Sequence, residues 1–257
     1  MAKKKIKRKK NWLQDWFEAI LFAFVVAMII RNYTIQTFKI PSSSMEKTLL
    51  IGDYLIGNKL KYFFTDPKRN DIVTFYMPTD PIEPQPREKY ARIIGPVYLD
   101  KQKFKLIWHQ KKMIVKRVIG MPGDKIEVRD KVVYLNDKPY HIPQEYYIDS
   151  RDIPREDGTI VWNNKWYQNT FMGSRDNFGP VIVPDSLYFV MGDDRDVSYD
   201  SRYWGFLDRK SITGTPLIIY LSYGDPPLKS YNEFILKTRG YRPKPEFRWR
   251  RIFKLIK

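Results

Sequence analysis

Residues 41–49 read PSSSMEKTL, three consecutive hydroxyls between a proline and a methionine. A polar linker has this composition, and so does a nucleophile site in which one serine attacks and another steadies the developing oxyanion. Residue types alone leave open which serine would do which. Such a hydroxyl needs a base. The chain has no cysteine and only two histidines, His109 and His141, which excludes thiol nucleophiles, disulfides, zinc thiolates and a histidine-rich metal centre. A lysine can serve as base if its ammonium is desolvated enough to lose its proton near neutral pH. In KMIVKRVIGMPGDKI (112–126), Lys116 lies in an apolar strand. Strand alternation places Ile114, Lys116 and Val118 on one face and Val115, Arg117 and Ile119 on the other. Moving a lysine from about 10.4 to about 7–8 takes roughly 3–5 kcal/mol, within what burial supplies. A lysine snorkelling from a sheet edge fits the same pattern. A third segment, MGDDRDVSYDSRYWG (191–205), is dense in Asp, Arg and Ser at the end of an apolar run, and an ion-paired surface loop is its ordinary reading.

The elements that must position these groups follow from charge and hydropathy. The chain has 257 residues, 43% hydrophobic, which suffices for a packed core of one large or two modest domains. Its net charge is +17, but residues 1–10 carry seven Lys/Arg, and residues 237–257 carry nine against Glu246 alone. The body is therefore nearly neutral, and the basic ends suit an anionic membrane surface better than nucleic acid. Between Ala19 and Ile30 every residue is uncharged and almost all are apolar. A span of about 20 residues would run from about Leu13 to Tyr33, with Trp12, Trp16 and Tyr33 as interfacial aromatics. No clean small-x-small site follows, so a retained signal anchor is favoured over a cleaved signal or a buried soluble helix. The basic N-terminus orients that end to the cytoplasm and the remainder outside.

Beyond the anchor, DYLIGNKL, DIVTFYMP, KMIVKRVIG, DKIEVRD, KVVYLND and DSLYFVMGD are short β-branched or aromatic runs broken by turn residues. The fold class is mainly β: an N-terminal transmembrane helix, then antiparallel sheets with an inserted subdomain. LND at 135–137 reads as a hairpin turn and MPGD at 121–124 as a Pro-Gly turn. Residues 78–112 read as a long connection. The organisation is a basic terminus (1–11), an anchor (12–33), a β domain (34–140 with 181–225), an insert (141–180) and a basic aromatic segment (226–257) packing on the domain or the membrane surface.

Together these segments resemble one family, the bacterial type I signal peptidases, membrane-anchored serine proteases with a Ser/Lys dyad. The resemblance rests on the basic terminus and anchor, PSSSMEKTL, RNDIVTF (69–75), KRVIGMPGD (116–124) with the following VYLND, and GDDRDVSYDSRYWG (192–205), in that order over almost the whole chain. It implies that Ser44 is the nucleophile, Lys116 the general base and Ser42 an oxyanion donor beside the Ser44 backbone N–H. Ser198 would orient Lys116, and Asp200 with Arg202 would form a buttressing ion pair, supported by Arg117 and Asp193. Phe38, Ile40, Met45, Leu49, Ile114 and Val115 would line shallow pockets for small side chains.

The implied reaction removes signal peptides from exported preproteins after small-x-small residues through an acyl-enzyme, without metal or cofactor. It would be carried out by a monomer in the bacterial cytoplasmic membrane, touching anionic phospholipid and no nucleic acid. Five positions depart from the family pattern. Ser43 stands where glycine is usual, Asp194 and Val197 where asparagine is usual, Lys47 where proline is frequent and Asn70 where glycine is frequent. An inward-pointing Asp194 carboxylate would raise the Lys116 pKa. A self-cleaving repressor of the SOS-response kind shares the dyad but needs an N-terminal DNA-binding domain, for which the residues before the serines are too few and too apolar. A non-enzymatic membrane scaffold would not need both Ser44 and Lys116.

Overall fold

The computed structural model describes residues 12–78, 89–94, 97–108, 112–227, 230–241 and 243–256. The basic run 1–11 and His109 lie outside the described residues. In chain order the elements are α1 (Trp12–Tyr33), β1 (Ile35–Lys39), β2 (Asp53–Asn58), α2 (Lys61–Phe64) and β3 (Ile72–Tyr76). A meander of β4 (Tyr90–Ile94), β5 (Val97–Asp100) and β6 (Lys105–Trp108) precedes β7 (Met113–Gly120). Then come β8 (Lys125–Arg129), β9 (Val132–Leu135), β10 (Lys138–Pro139), β11 (Ile160–Trp162), β12 (Thr170–Gly173), β13 (Phe178–Ile182) and β14 (Leu187–Met191). The chain closes with α3 (Ser201–Trp204), β15 (Leu207–Asp208), β16 (Ile212–Gly224), α4 (Tyr231–Thr238) and β17 (Glu246–Phe247).

Every named strand pairing is antiparallel. The first sheet runs β1-β2-β16-β3-β7-β14-β15, with β17 paired to β16. The second runs β10-β9-β8-β13-β12-β11, so residues 160–173 share a sheet with 125–139. The connection expected over 78–112 instead contains the β4–β5–β6 meander. Lys89, Arg92, Lys101 and Lys105 interrupt its apolar alternation, which hides these strands from a periodicity reading.

β7 is central to the first sheet, flanked by β3 and β14. Its Val118 packs with Val73, Phe75, Tyr188, Val190 and Leu207, and Ile114 joins this cluster from the same face. Val115, on the other face, packs with Ile40, Met45, Leu49, Leu55, Ile72 and Ile219. Apolar burial on both faces surrounds Lys116 and Arg117 with protein. The predicted turns occupy their places: Asn136 and Asp137 have φ of 51° and 65° between β9 and β10, and Gly123 has φ 84° after Pro122.

α1 extends over 22 residues. Among the described residues no helix is long and apolar enough to cross a membrane.

Candidate active site

The serine segment joins β1 to β2. The strands close around it through Ile40 N–H to the Asp53 carbonyl and Gly52 N–H to the Ile40 carbonyl, both 2.9 Å. Within it, Glu46 N–H donates to the Ser43 carbonyl at 2.8 Å and Leu49 N–H to the Met45 carbonyl at 2.7 Å. Lys47 takes φ 73°, which a proline ring, fixed near −65°, cannot adopt, so the turn after the serines differs from one that carries proline. Asn70 takes φ 71°, a left-handed conformation that asparagine tolerates where glycine is frequent.

Two buried anchors hold this segment against β7 and the 192–202 loop. Arg117 binds Asp193 bidentately, Nε to Oδ1 at 2.7 Å and Nη2 to Oδ2 at 2.8 Å. Thr48 Oγ1 donates to the same Asp193 Oδ2 at 2.5 Å, which ties the far end of the serine turn to the strand carrying Lys116. Asp194 N–H donates to the Ser44 carbonyl at 3.2 Å. Gly192 must lack a side chain, because a Cβ there would collide with the Ser44 carbonyl and the Ser198 hydroxyl.

Lys116 is 4% exposed, and its Nζ lies 2.9 Å from Ser198 Oγ. The Gly192 N–H bridges Ser198 Oγ at 3.1 Å and Asp200 Oδ2 at 3.2 Å, which holds the two side chains together. Asp200 in turn receives Arg202 Nε and Nη2, each at 2.9 Å, with both residues buried. Burial lowers the Lys116 pKa to about 8; the Asp200, Asp193 and Asp194 carboxylates oppose this and Arg202 reinforces it. A measurable fraction of the amine is therefore neutral at pH 7. Asp200→Ala would leave Arg202 buried without its anion, and we expect it to cost about 3–5 kcal/mol in chemical denaturation. An unchanged unfolding midpoint would contradict the buttressing role.

Ser42, Ser44 and Lys116 open onto one cleft of about 180 Å³ lined by Phe38, Lys39, Ile40, Pro41, Met45, Met77, Met113, Ile114, Val115, Val197 and Tyr199. Ser42 Oγ and Ser44 Oγ are 3.4 Å apart. Of the predicted pocket residues, Leu49 alone does not line this cleft; it is buried and packs with Met45 and Leu55 in the core. Its apolar type fits a core and a pocket equally well, so residue type could not separate the two. Met77, Met113, Val197 and Tyr199 were not foreseen as lining residues. Their flanking positions on β3 and β7, and beside Ser198, were the available signal. Val197 presents an apolar side chain to the cleft beside Ser198. His141 lies elsewhere, paired with Glu145 at 2.7 Å.

A hydroxyl and a desolvated amine opening onto one apolar cleft of a mainly β domain are the groups that a serine peptidase with a lysine base requires. The chain belongs to the signal peptidase family, peptidase S26, whose family model matches residues 13–221. Signal peptidase I of Aquifex aeolicus is 32% identical over 227 residues, covering 81% of this chain and 84% of its own. Probable signal peptidase I-2 of Synechocystis is 32% identical, covering 84% and 77%. Signal peptidase I of Bacillus licheniformis is 29% identical, covering 88% and 97%. A crystal structure of a signal peptidase I from Enterococcus faecalis is 26% identical and covers 59% of this chain and 97% of its own, with a TM-score of 0.32.

Proposed function

We propose that this serine endopeptidase removes N-terminal signal peptides from preproteins at a membrane surface, with Ser44 as nucleophile and Lys116 as general base. The observation that carries this reading is the buried Lys116, held by Ser198 and opening onto the same cleft as Ser44. Neutral Lys116 takes the Ser44 proton as Oγ attacks the carbonyl before the scissile bond. The oxyanion is met by Ser42 Oγ and the Ser44 backbone N–H, and the Lys116 ammonium then protonates the leaving amine. Water, deprotonated by Lys116, hydrolyses the acyl-enzyme. Ser198, oriented by Gly192 N–H and Asp200, fixes where the amine points.

The small apolar cleft favours Ala-sized side chains near the cut, since larger ones overfill it. Ser42→Ala is expected to lower kcat about 10²–10³-fold, the usual loss for one oxyanion donor. Steady-state cleavage of a preprotein at saturating substrate reads this, and an unchanged kcat would make Ser42 a structural residue.

The anchor reading rests on α1. At about 1.5 Å per residue its 22 residues extend about 33 Å, against about 30 Å of hydrocarbon, although its described residues alone do not combine the length and apolarity of a membrane span. Trp16, Phe17, Ile20, Phe22 and Phe24 are all exposed on its surface. Lipid would cover these faces, with the N-terminus cytoplasmic and the β domain, acting as a monomer, on the opposite side of a bacterial cytoplasmic membrane. A second contact with anionic lipid would come from the C-terminal segment, where exposed Trp249, Phe253 and Leu255 alternate with Arg250 and Lys254. That segment also packs on the domain: Arg251 binds Asp53 at 2.6 Å, and Phe253 N–H donates to the Ile219 carbonyl at 2.7 Å.

The test is incubation of the full chain in anionic vesicles with a preprotein, with product N-termini mapped by mass spectrometry. A single cut after a small-x-small sequence supports the reading. No cleavage, or cuts at unrelated sites, would overturn it.

A further inference from the structure

Asp194 is 0% exposed, and its Oδ2 has no hydrogen-bond partner. Its Oδ1 accepts the Asp196 N–H at 3.2 Å, and its own N–H holds the Ser44 carbonyl. On its own loop, Asp193 is bound to Arg117 and Asp196 to Lys131. Arg195 reaches Glu145 at 3.6 Å through Nη2, while its Nε and Nη1 have no hydrogen-bond partner and it forms no ion pair with Asp194 among the described residues. From the serine turn come Glu46, itself 4% exposed, and Lys47, whose Nζ donates to the Glu145 carbonyl and lies over the Tyr146 ring. Tyr146 pairs with Asp194 across an isolated bridge, and Glu233 acts on it from α4. Lys116 faces from β7, bound to Ser198, and the Asp200–Arg202 pair lies beyond it. Among the described ion pairs none includes Asp194.

A buried carboxylate with a bare oxygen, next to a second buried carboxylate and without a cation, is unfavourable when ionised. We propose that Asp194 is a positioning residue held as a neutral carboxylic acid, the proton on Oδ2 keeping one more negative charge away from Lys116 and so leaving the amine free to act as base. This rests on the dyad reading above. Burial, opposed by the Asp196 and Val197 backbone N–H groups and reinforced by the Asp196 and Glu46 carboxylates, pushes the Asp194 carboxyl up to about 7. Once ionised, Asp194 holds the Lys116 proton more tightly. Rising pH thus does two opposed things: it deprotonates the base, and it places a charge nearby that resists that deprotonation.

Asp194→Asn keeps the shape and removes the charge, so the experiment compares kcat/KM against pH for wild type and Asp194→Asn on one preprotein. Below about pH 6, where wild-type Asp194 is neutral, the two curves should coincide; near pH 7.5, where Asp194 is largely ionised and Lys116 still mostly protonated, the variant should be about twofold higher, with the curves converging again above pH 9. Coincidence at every pH, or a gap that persists undiminished at about pH 5.5, would overturn the proposal.

Melting temperature supplies a readout that does not pass through Lys116. A carboxyl raised above its unfolded value of about 3.9 makes wild type lose stability as pH rises through the folded pKa. The advantage of Asp194→Asn should therefore grow between pH 5 and pH 8, and a gap independent of pH would overturn the proposal. Should the variant fail to fold, infrared spectra of wild type should show a protonated-carboxyl band at pH 6 that is lost by pH 9, and its absence at pH 6 would refute the inference. If Lys116→Met retained activity, the dyad reading would fail while the melting arm still reported on Asp194.

Discussion

Lys116→Met abolishes preprotein cleavage yet leaves a protein at least as stable as wild type at pH 7. Both halves of this expected result follow from burial. The ammonium is enclosed by the sheet, and the same desolvation that holds its pKa at about 8 makes its charge a cost to the fold. In the unfolded chain the lysine titrates near 10.4. Between about pH 8 and about pH 10.4 the unfolded state therefore binds more protons, and wild-type stability rises with pH through that window. Below pH 8 the cost is present in full, up to about 3 kcal/mol, and methionine of similar volume removes it while losing the Ser198 contact. Urea unfolding at pH 7 and pH 10 reads the difference, which should shrink at the higher pH. In wild type the same group sets the acid limb of kcat/KM, with an apparent pKa near 8. Substantial turnover by Lys116→Met would assign the base elsewhere.

Ser44→Ala carries the other large effect. Removing the nucleophile of a unit that acts together costs on the order of 10⁶ in kcat, because binding and the oxyanion donors alone recover little. Ser43 cannot take over. Unlike Ser42 and Ser44 it does not line the cleft, and its carbonyl accepts the Glu46 N–H that shapes the turn. Ser42 lies on the exposed side, 3.4 Å from Ser44 Oγ. Far-ultraviolet circular dichroism and thermal melting should match wild type, since among the described hydrogen bonds Ser44 Oγ meets only the exposed Ser42 hydroxyl. Cleavage within tenfold of wild type would shift the assignment to Ser42.

The chemistry was more legible in the chain than its supports. Lys116 could be placed on a buried face because its neighbours alternate, and β7 lies where that alternation puts it. The turns at 121–124 and 135–137 announced themselves through Pro-Gly and Asn-Asp. What holds the serine turn in place did not. Arg251 binds Asp53 across 198 residues and donates to the Thr48 carbonyl at 2.9 Å, and Arg248 donates to the Ile51 carbonyl at 2.6 Å. As sequence, these arginines read as part of a solvated basic tail; as structure, they clamp the loop that follows the serines. A long-range ion pair leaves no periodic trace. The meander of β4 to β6 was hidden for a related reason, since its lysines and arginines interrupt the apolar pattern. Leu49 packs in the core and does not line the cleft, and core and pocket ask for the same residue type. Asp194 drew notice as a departure from its family, but that its outer oxygen is buried and unpartnered is a fact of packing alone.

The residue on which the acyl group forms identifies the nucleophile. A single-turnover reaction of the full chain with a preprotein, quenched in acid before hydrolysis and digested for mass spectrometry, reads this directly. The dyad predicts an adduct on Ser44, joined through the C-terminal residue of the signal peptide, absent from Ser44→Ala and accumulating more slowly as the pH falls below 8. An adduct on Ser42 or Ser43, or undiminished turnover by Ser44→Ala, would contradict it.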